Sequence, residues 1–537
     1  MPAIITDQYR ILNAETFIDS FVGIGTTGNN NYYTFLGHPD PANQNDFSKS
    51  IGYGVTSWTS DTPDPVDSFK EESLYYDTML FLKKIAPNDV RRIIPRVDWQ
   101  TGTAYDMYRN NYNKDNKTPV TQNTTLYGSN YYVVNSEFKV YLCINNGADQ
   151  DNEDGRKSEF EPNFIDTIPQ PAGDDGYLWK YLYTISPADI VKFVTSTYIP
   201  LPVKWGDTTT EDIKNAAVDG KIETVITKSL GSGFQAQQVG SANTTTNFSM
   251  NVPIIGDGDG GLLSITVNGG VIESTLLANG GTGYTYGLIR FEPGVEDSGG
   301  TKINAGSGAS FEVVIPPKGG HGSDIYRELG GFRIMVHSRF DNNVNDVPDY
   351  IIGNDFSRVG IVKNPIQFGG TDLLNSTTAT NLSALKLRPA DNSGISTSSV
   401  DYVKNTKITQ KVGVNSTAAA FVASWEPDTG ILRYYQPVTI SSRSEYSYKK
   451  LDFVGLNTAI TGGAGGDLVV DVGFGATTPV SSITVGGKNI DLGQSFVKGK
   501  ANPDVKKYSG DIIYIDNRAP ITRSTSQKEE VKIVIEF

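Results

Sequence analysis

The sequence predicts a mainly β fold with a few short helices, of the α+β type. The main observation is the stretch Asp174–Ile185, in which side chains alternate as they do along an extended strand. One side of this strand carries Tyr177, Trp179, Tyr181, Tyr183 and Ile185. Four aromatic rings on one face need a large apolar surface to cover them, either the opposite layer of a β-sandwich or a partner chain.

A second alternating stretch lies at the far end of the chain. Val531, Ile533, Ile535 and Phe537 are spaced two residues apart, which predicts a strand with one buried face. We expect this strand to close the fold at the last residue. We therefore predict a β-sandwich-like core built from both chain ends, in which Ser509–Phe537 lies with the sheet that contains Trp179.

The composition supports this fold class and excludes several kinds of site. The chain has 56 glycines, and Tyr, Thr, Asn, Val and Ile are frequent, which favours strands and tight turns over long helices. With 537 residues and 38% apolar content the chain can bury a sizeable core, and its length predicts about two to four domains. The single cysteine, Cys143, excludes an internal disulfide and a cysteine-based metal site.

The charge pattern favours protein partners over nucleic acid. The net charge is −14, whereas a nucleic-acid-binding domain is usually basic. The sequence contains no run of about 18 apolar residues, and the N-terminus lacks the charged-then-apolar pattern of a secretion signal. We therefore predict neither a membrane partner nor export.

A change in composition after Trp205 predicts inserted domains. Residues 207–325 are rich in Gly, Thr, Ser and Asn, and they contain a repeat in which Ile222–Phe234 returns as Ile272–Tyr284. We predict a small all-β domain of two copies, in which the repeated glycines supply positive φ angles at hairpin turns. Residues 371–504 predict a second inserted β domain. The core then comprises residues 1–206, 326–370 and 505–537.

Short helices are predicted at three places. Asn13 is a suitable N-cap for a helix that extends to Phe21. Ser68–Glu71 has a capping-box pattern, and apolar residues follow it at helical spacing as far as Ile85. Ser186–Asp189 predicts a capped helical turn, and Ala3–Ile5 predicts a short strand before the first helix.

Three local patterns look like functional motifs, and each is better explained structurally. Gly23–Gly28 matches a dinucleotide-binding pattern but follows a predicted helix instead of a strand. Asp149–Glu161 is similar to a calcium loop but has Gln150 at the first ligand position. Gly319–Asp324 contains His, Ser and Asp within one Gly-rich turn, where we expect His321 and Asp324 to hydrogen-bond the turn or a neighbouring chain. We predict no catalytic residue, no metal ligand and no cofactor.

Several segments resemble a family of phage tail proteins. The family is the baseplate wedge subunit of T-even-type contractile-tailed phages that forms a dimer beside the tail-pin base. The segments that carry the resemblance, in chain order, are Tyr33–Gly37, Ile94–Trp99, Asp175–Tyr183, Phe356–Pro365, Gly510–Ile521 and Glu529–Phe537. Residues 207–325 and 371–505 depart from the family pattern and look like insertions, as in enlarged relatives from phages of marine cyanobacteria.

The resemblance implies a virion structural protein without enzymatic activity. It implies a β-rich homodimer in the tail baseplate, made in the host cytoplasm and joined to other wedge proteins and to the tail-pin or short-fibre attachment protein. It carries over no catalytic residue and no cofactor.

Arginine and tryptophan outside the helices are the remaining signal, because these residue types anchor protein interfaces. We expect Arg91, Arg92, Arg96, Trp99 and Arg518 to lie near a family-type interface. The alternative for each of them is an ordinary core or rim residue.

Two other functions stay open at this point. The inserted Gly-rich domains are compatible with a carbohydrate-binding decoration or host-recognition module at the tail tip. A polysaccharide-degrading tail enzyme is disfavoured, because no arrangement of carboxylates or histidines in the sequence suggests a catalytic pair.

Overall fold

A computed structural model describes residues 6–22, 30–38, 69–341, 355–391, 394–436, 451–455, 458–522 and 528–537. The predicted strand Ala3–Ile5 and the motif Gly23–Gly28 lie outside the described residues, and so does Ser68 of the predicted capping box.

Strands dominate the described residues, and the helices are short. The α-helices are α1 (Asp7–Val22), α2 (Phe69–Thr78), α3 (Pro187–Phe193), α4 (Glu211–Asn215) and α5 (Ile325–Glu328). The first strands are β1 (Tyr32–Gly37), β2 (Met79–Lys84), β3 (Val90–Pro95), β4 (Thr103–Ala104), β5 (Tyr132–Val134), β6 (Lys139–Asn146), β7 (Lys157–Ser158), β8 (Tyr177–Thr184), β9 (Tyr198–Pro200) and β10 (Val225–Gln237).

The next strands are β11 (Thr244–Thr245), β12 (Phe248–Pro253), β13 (Ile255–Gly256), β14 (Asp259–Asn268), β15 (Val271–Thr282), β16 (Gly287–Leu288), β17 (Lys302–Val313), β18 (Arg333–Phe340), β19 (Asp355–Lys363) and β20 (Thr378–Thr380). The last are β21 (Ser383–Pro389), β22 (Lys407–Gly413), β23 (Ser416–Glu426), β24 (Ile431–Tyr435), β25 (Leu468–Val470), β26 (Val480–Val485), β27 (Lys488–Phe496), β28 (Lys500–Ala501), β29 (Asp511–Thr522) and β30 (Glu529–Glu536). The predicted mainly β fold with a few short helices is confirmed.

The chain divides into two compact units. Unit 1 comprises Met1–Phe17, Arg91–Met335 and Val534–Phe537, and unit 2 comprises Ile18–Val90 and Val336–Ile533. Each unit combines distant parts of the chain. The predicted domain limits at residues 206, 325, 370 and 504 stay a prediction, because one compact unit can contain more than one domain.

The core of unit 1 surrounds strand β8, which lies in the antiparallel sheet β5-β6-β8. Tyr177 and Trp179 are buried and stack with ring centroids 5.2 Å apart, and the Tyr105 ring packs edge-on against both. Lys180 and Leu182, which alternate with the aromatic residues, are buried as well. The strand is therefore covered on both faces, whereas its sequence suggested a single buried face.

The closing segment Ser509–Phe537 does not share a sheet with Trp179, so that prediction was wrong. Strand β29 pairs with β19, and β30 belongs to the sheet β30-β18-β3-β9. Both edges of β8 are occupied at Trp179, by Cys143 of β6 on one side and by Gln170 on the other. A strand from elsewhere in the chain therefore has no free edge of β8 to join at this point.

Both ends of the chain nevertheless contribute to unit 1. The Arg10 guanidinium of α1 lies 2.5 Å from the Glu536 carboxylate and also donates a hydrogen bond to the carbonyl of Phe537. The Phe17 and Phe537 rings pack with centroids 5.5 Å apart. Helix α1 and the last residues therefore meet through both charge and aromatic contacts between partly exposed side chains, whereas the predicted β-sandwich-like core built from both chain ends stays a prediction.

The repeat in the Gly-rich region corresponds to two similar strand ends. Phe234 follows the first repeated Gly-Ser-Gly sequence, Tyr284 follows the second, Gly-Thr-Gly, and both rings are buried. The φ angles of Gly231 and Gly281 are +61° and +62°, so both copies use the predicted left-handed conformation. These glycines lie within strands β10 and β15 and not at hairpin turns, which corrects the predicted location.

Unit 2 is built on two larger sheets. One has the strand order β20-β2-β1-β19-β29, and the other has the order β22-β23-β24-β21-β25, with β28 beside β21. The Arg358 side chain of β19 is fully buried, and its Nη1 donates hydrogen bonds to Thr78 Oγ1 at 2.9 Å and to the His38 carbonyl at 3.2 Å. These bonds satisfy a charge that would otherwise be costly inside the sheet.

Two of the predicted helices have different limits. Helix α1 begins at Asp7, so Asn13 lies within the helix and is not its N-cap. Helix α2 ends at Thr78, and the apolar residues that follow it form strand β2, because they pair with β1 and β20 and are buried there. Tertiary pairing here overrides a helical spacing of apolar residues. The third prediction is confirmed: Ser186 Oγ accepts a hydrogen bond from Asp189 N and caps α3.

Candidate protein interface

The first candidate interface residue, Arg91, forms an ion pair within unit 1. Its Nε donates a hydrogen bond to Asp189 Oδ1 of α3 at 2.9 Å, and its guanidinium lies 5.1 Å from the centre of the Phe193 ring. The residue is 8% exposed. Arg91 therefore holds α3 against strand β3, and little of its side chain is accessible to a partner.

Arg92 is also 8% exposed and is packed in a similar way. Its guanidinium lies 3.8 Å from the centre of the Tyr326 ring, which is a cation–π contact. Its Nη2 is 3.9 Å from the Glu15 carboxylate, whereas its Nε has no hydrogen-bond partner among the described residues. Arg92 therefore joins three segments that are distant in sequence.

Arg96 and Trp99 follow strand β3 and are partly exposed. Arg96 Nε is 2.8 Å and 3.0 Å from the two carboxylate oxygens of Asp98, and Arg96 Nη1 donates to the Thr195 carbonyl at 3.1 Å. Trp99 Nε1 donates to Ser158 Oγ at 3.0 Å. These two side chains are held in fixed positions and still reach the surface of unit 1.

Arg518 belongs to unit 2, whereas the other four candidates belong to unit 1. Its side chain is 67% exposed and forms an ion pair of 2.6 Å with Asp516 on the same strand. An interface role for Arg91, Arg92, Arg96, Trp99 and Arg518 stays a prediction.

The turn Gly319–Asp324 is a structural element. His321 Nδ1 lies 2.5 Å from Glu328 Oε1, and both side chains are buried. Asp324 accepts hydrogen bonds from the backbone of Tyr326 and Arg327 and so caps α5, while Ser323 Oγ donates to the Lys318 carbonyl. The His, Ser and Asp side chains therefore do not converge into a nucleophile triad.

A buried ion pair connects strand β8 to the Gly-rich region. Lys180 Nζ is 3.5 Å from Glu223 Oε1 and donates a hydrogen bond to the Thr167 carbonyl at 3.1 Å. Lys180 is 1% exposed, and Glu223 Oε2 has no hydrogen-bond partner among the described residues. The alternating pattern of β8 gave no signal for this pair, because it placed Lys180 on the less apolar face.

A second charged cluster lies on strand β17. Glu312 Oε2 is 3.2 Å from Lys228 Nζ and 3.5 Å from Arg109 Nη1, and Glu312 Oε1 accepts a hydrogen bond from Asn111 at 3.2 Å. Burial acts to raise the pKa of Glu312, but the neighbouring Arg109 and Lys228 charges and the Asn111 hydrogen bond outweigh it, so the pKa is lowered. The carboxylate is therefore kept charged by its neighbours.

The acidic loop Asp149–Glu161 closes on itself. Asp149 forms an ion pair of 2.7 Å with Arg156 and accepts hydrogen bonds from the backbone of Asp151 and Asn152. Within the part of the chain that the structure describes, no group of three or more His, Cys, Asp or Glu side chains is arranged to hold a metal ion. Among those same residues, no helix is long and apolar enough to cross a membrane.

The chain is similar to a known baseplate protein. It is 26% identical over 232 residues to baseplate wedge protein gp8 of Enterobacteria phage T4. The match covers 39% of this chain and 63% of that protein, so less than two thirds of the relative is represented. No protein-family model matches the chain. The similarity agrees with the resemblance to a baseplate wedge protein that the sequence segments indicate.

Removing one member of the Lys180–Glu223 pair should destabilise unit 1. We expect Lys180→Met to lower the free energy of unfolding by about 3–5 kcal/mol, because Glu223 then stays buried without a counter-charge. The double variant Lys180→Met/Glu223→Leu should be less destabilised than the sum of the two single variants. Urea denaturation of the full chain measures this coupling, and strictly additive losses would contradict it.

The Glu312 cluster should make the stability of the folded chain depend on pH. Because the folded state lowers the pKa of Glu312, the charged carboxylate stabilises the folded chain at neutral pH. This contribution to the free energy of unfolding is lost as the pH falls from about 4.3, the pKa of an unfolded glutamate, through the lowered pKa of the folded state. Glu312→Gln should therefore reduce the urea midpoint at pH 7, and the difference from the unaltered chain should shrink on acidification. Glu153→Gln, at an exposed position, is the matched control. A difference that grows on acidification would contradict this assignment.

Proposed function

We propose that this chain is a non-enzymatic structural subunit of a phage tail baseplate wedge. The observation that carries the proposal is the 26% identity over 232 residues to the baseplate wedge protein of phage T4. The mainly β fold is compatible with this role, because its antiparallel sheets are stabilised by paired strands from distant parts of the chain. Its site of action is then the virion tail baseplate, after synthesis in the host cytoplasm.

The arrangement of the charged side chains supports a structural role. Arg91, Lys180 and His321 are all buried, and each is bonded to a carboxylate of the same chain. The Arg91–Asp189 and Lys180–Glu223 pairs hold distant segments of one chain in place, and the His321–Glu328 hydrogen bond closes the turn before α5. We assign them to the stability of the subunit.

We further propose that the subunit is a homodimer that contacts neighbouring wedge proteins and the tail-pin or short-fibre attachment protein. Of the five predicted interface residues, the partly exposed Arg96 and Trp99 and the exposed Arg518 are accessible to a partner. Arg91 and Arg92 are buried on strand β3, shortly before Arg96 and Trp99 in the sequence, and act by positioning that segment. An acidic chain of net charge −14 favours partners with basic surfaces.

The location in the virion can be tested with antibodies. We expect antibodies raised against the full chain to bind the baseplate end of tails from a phage that encodes it, because the proposed subunit is part of that assembly. Immunogold electron microscopy of purified particles measures the position of the label, with pre-immune serum as the control. Label confined to the head, or no chain in purified particles, would contradict the proposal.

The dimer can be tested by mass in solution. We expect sedimentation at micromolar concentration to give twice the chain mass of 58.3 kDa. If Arg518 lies in the dimer contact, Arg518→Ala should weaken association by about tenfold. Arg327→Ala is a matched control, because Arg327 is 65% exposed and is also paired with a nearby aspartate. A strictly monomeric protein would contradict the dimer, and equal effects of the two variants would contradict the role of Arg518.

A further inference from the structure

The segment between β7 and β8 exposes three large apolar side chains. Phe160 is 42% exposed, Ile165 is 64% exposed and Ile168 is 56% exposed. We call residues 159–172 the apolar loop. Exposed apolar side chains grouped on one short segment mark an interaction site more often than single ones do.

The apolar loop is held in place by the sheet beneath it. Four of its residues are hydrogen-bonded to buried residues of β8 or of the β5–β6 hairpin. The Pro162 carbonyl accepts from Asn135 Nδ2 at 2.9 Å, and the Phe164 carbonyl accepts from Tyr141 Oη at 2.6 Å. The Thr167 carbonyl accepts from Lys180 Nζ at 3.1 Å, and the backbones of Gln170 and Trp179 exchange two hydrogen bonds at 2.8 Å and 2.9 Å. Ile165 and Ile168 are exposed on this fixed backbone, so little backbone conformational entropy remains to be lost on binding.

Side chains of the loop also point inward, which fixes its orientation. Phe164 packs against Tyr141 with ring centroids 5.3 Å apart, while the next residue, Ile165, is exposed. The Phe160 ring lies against Gly173, where a Cβ atom would overlap it. The loop therefore has an inner surface that anchors it and an outer surface available for contact.

The border of the apolar loop is acidic. Residues 158–176 contain no Lys or Arg, and their exposed carboxylates are those of Glu159, Asp166 and Asp174, whereas Asp175 accepts hydrogen bonds from the backbone of Glu159 and Tyr177. Directly before this segment, Arg156 is paired with Asp149, and Lys157 is exposed. At the base of the loop, Lys139 is neutralised by Glu137 at 2.8 Å and bonds Asn163 Oδ1 at 2.6 Å. A partner that covers the isoleucines must therefore meet a negative rim.

We propose that the apolar loop is a docking site for a protein partner that presents an apolar groove bordered by Lys and Arg. The proposal rests on the proposed baseplate role, so the partner is a different subunit of the same assembly. The isoleucines supply burial at the centre, and the acidic rim supplies orientation and faster association. A two-fold contact of this loop with the same loop of a second copy does not fit, because it would bring two acidic rims together.

The proposal can be tested by cysteine labelling, since Cys143 is buried and is the single native cysteine. Ile165→Cys and, as a control, Val414→Cys at a position that is 89% exposed should both react with maleimide in the isolated chain. In phage particles assembled with the variant chain, a benzophenone-maleimide probe at position 165 should crosslink to a different subunit through a Lys- or Arg-rich peptide.

Two crosslinking results would overturn the docking site. The first is that the Ile165→Cys thiol reacts with maleimide as fast in the particle as in the isolated chain and that the probe at this position captures no protein. The other is capture of a second copy of this chain. If the chain is absent from the particles, the proposed baseplate role fails instead, so the two failures are distinguishable.

A binding measurement with the captured subunit tests the chemistry of the site. Ile165→Ser/Ile168→Ser should weaken binding by at least about tenfold without changing the mass of the free protein. Asp166→Lys should slow association and reduce its dependence on salt. Val414→Ser is the matched control and should bind as the unaltered chain does. Unchanged affinity in the double variant would contradict the docking site.

Discussion

The burial of strand β8 on both faces and both edges constrains the rest of unit 1. At Trp179, β6 occupies one edge and Gln170 the other, and the Tyr177 and Tyr105 rings pack against the indole. The next residue, Lys180, is buried with Glu223 as its counter-charge. Because a buried ammonium needs such a partner, β8 fixes the apolar loop that precedes it and also the start of the Gly-rich region.

Buried charged and polar side chains form hydrogen-bonded contacts in several parts of the described chain, and those of Arg91 and Arg358 join segments that are far apart in sequence. Arg91 binds Asp189, His321 binds Glu328, and Arg358 of unit 2 donates to Thr78 and to the carbonyl of His38. These pairs have strict geometric requirements, and each is costly if left half-satisfied, so they favour one arrangement of strands over alternatives. A subunit that presents fixed surfaces to other proteins benefits when one arrangement of its strands is favoured in this way.

The sequence predicts much of the fold because local patterns report local structure. The alternating residues around Trp179 predict a strand, the serine cap predicts α3, and the repeated glycines predict positive φ angles. The sequence does not predict the end of α2 at Thr78, the sheet joined by Ser509–Phe537 or the Lys180–Glu223 pair, because each depends on residues far away in the chain. For the same reason Arg91 and Arg92, predicted at an interface, have side chains occupied by contacts within unit 1. The exposed isoleucines of the apolar loop follow no periodic pattern, and their exposure is evident only once the loop is seen bonded to β8.

We propose that this β-rich chain, whose unit 1 is organised around β8, works by contacting other proteins in a tail baseplate. A reconstruction of the intact tail tip at side-chain resolution, from a phage that encodes this chain, tests that claim most directly. The account predicts density for this chain within the wedge, with Ile165 and Ile168 covered by a different, basic subunit. A complete baseplate without this chain, or with these isoleucines facing solvent, would contradict it.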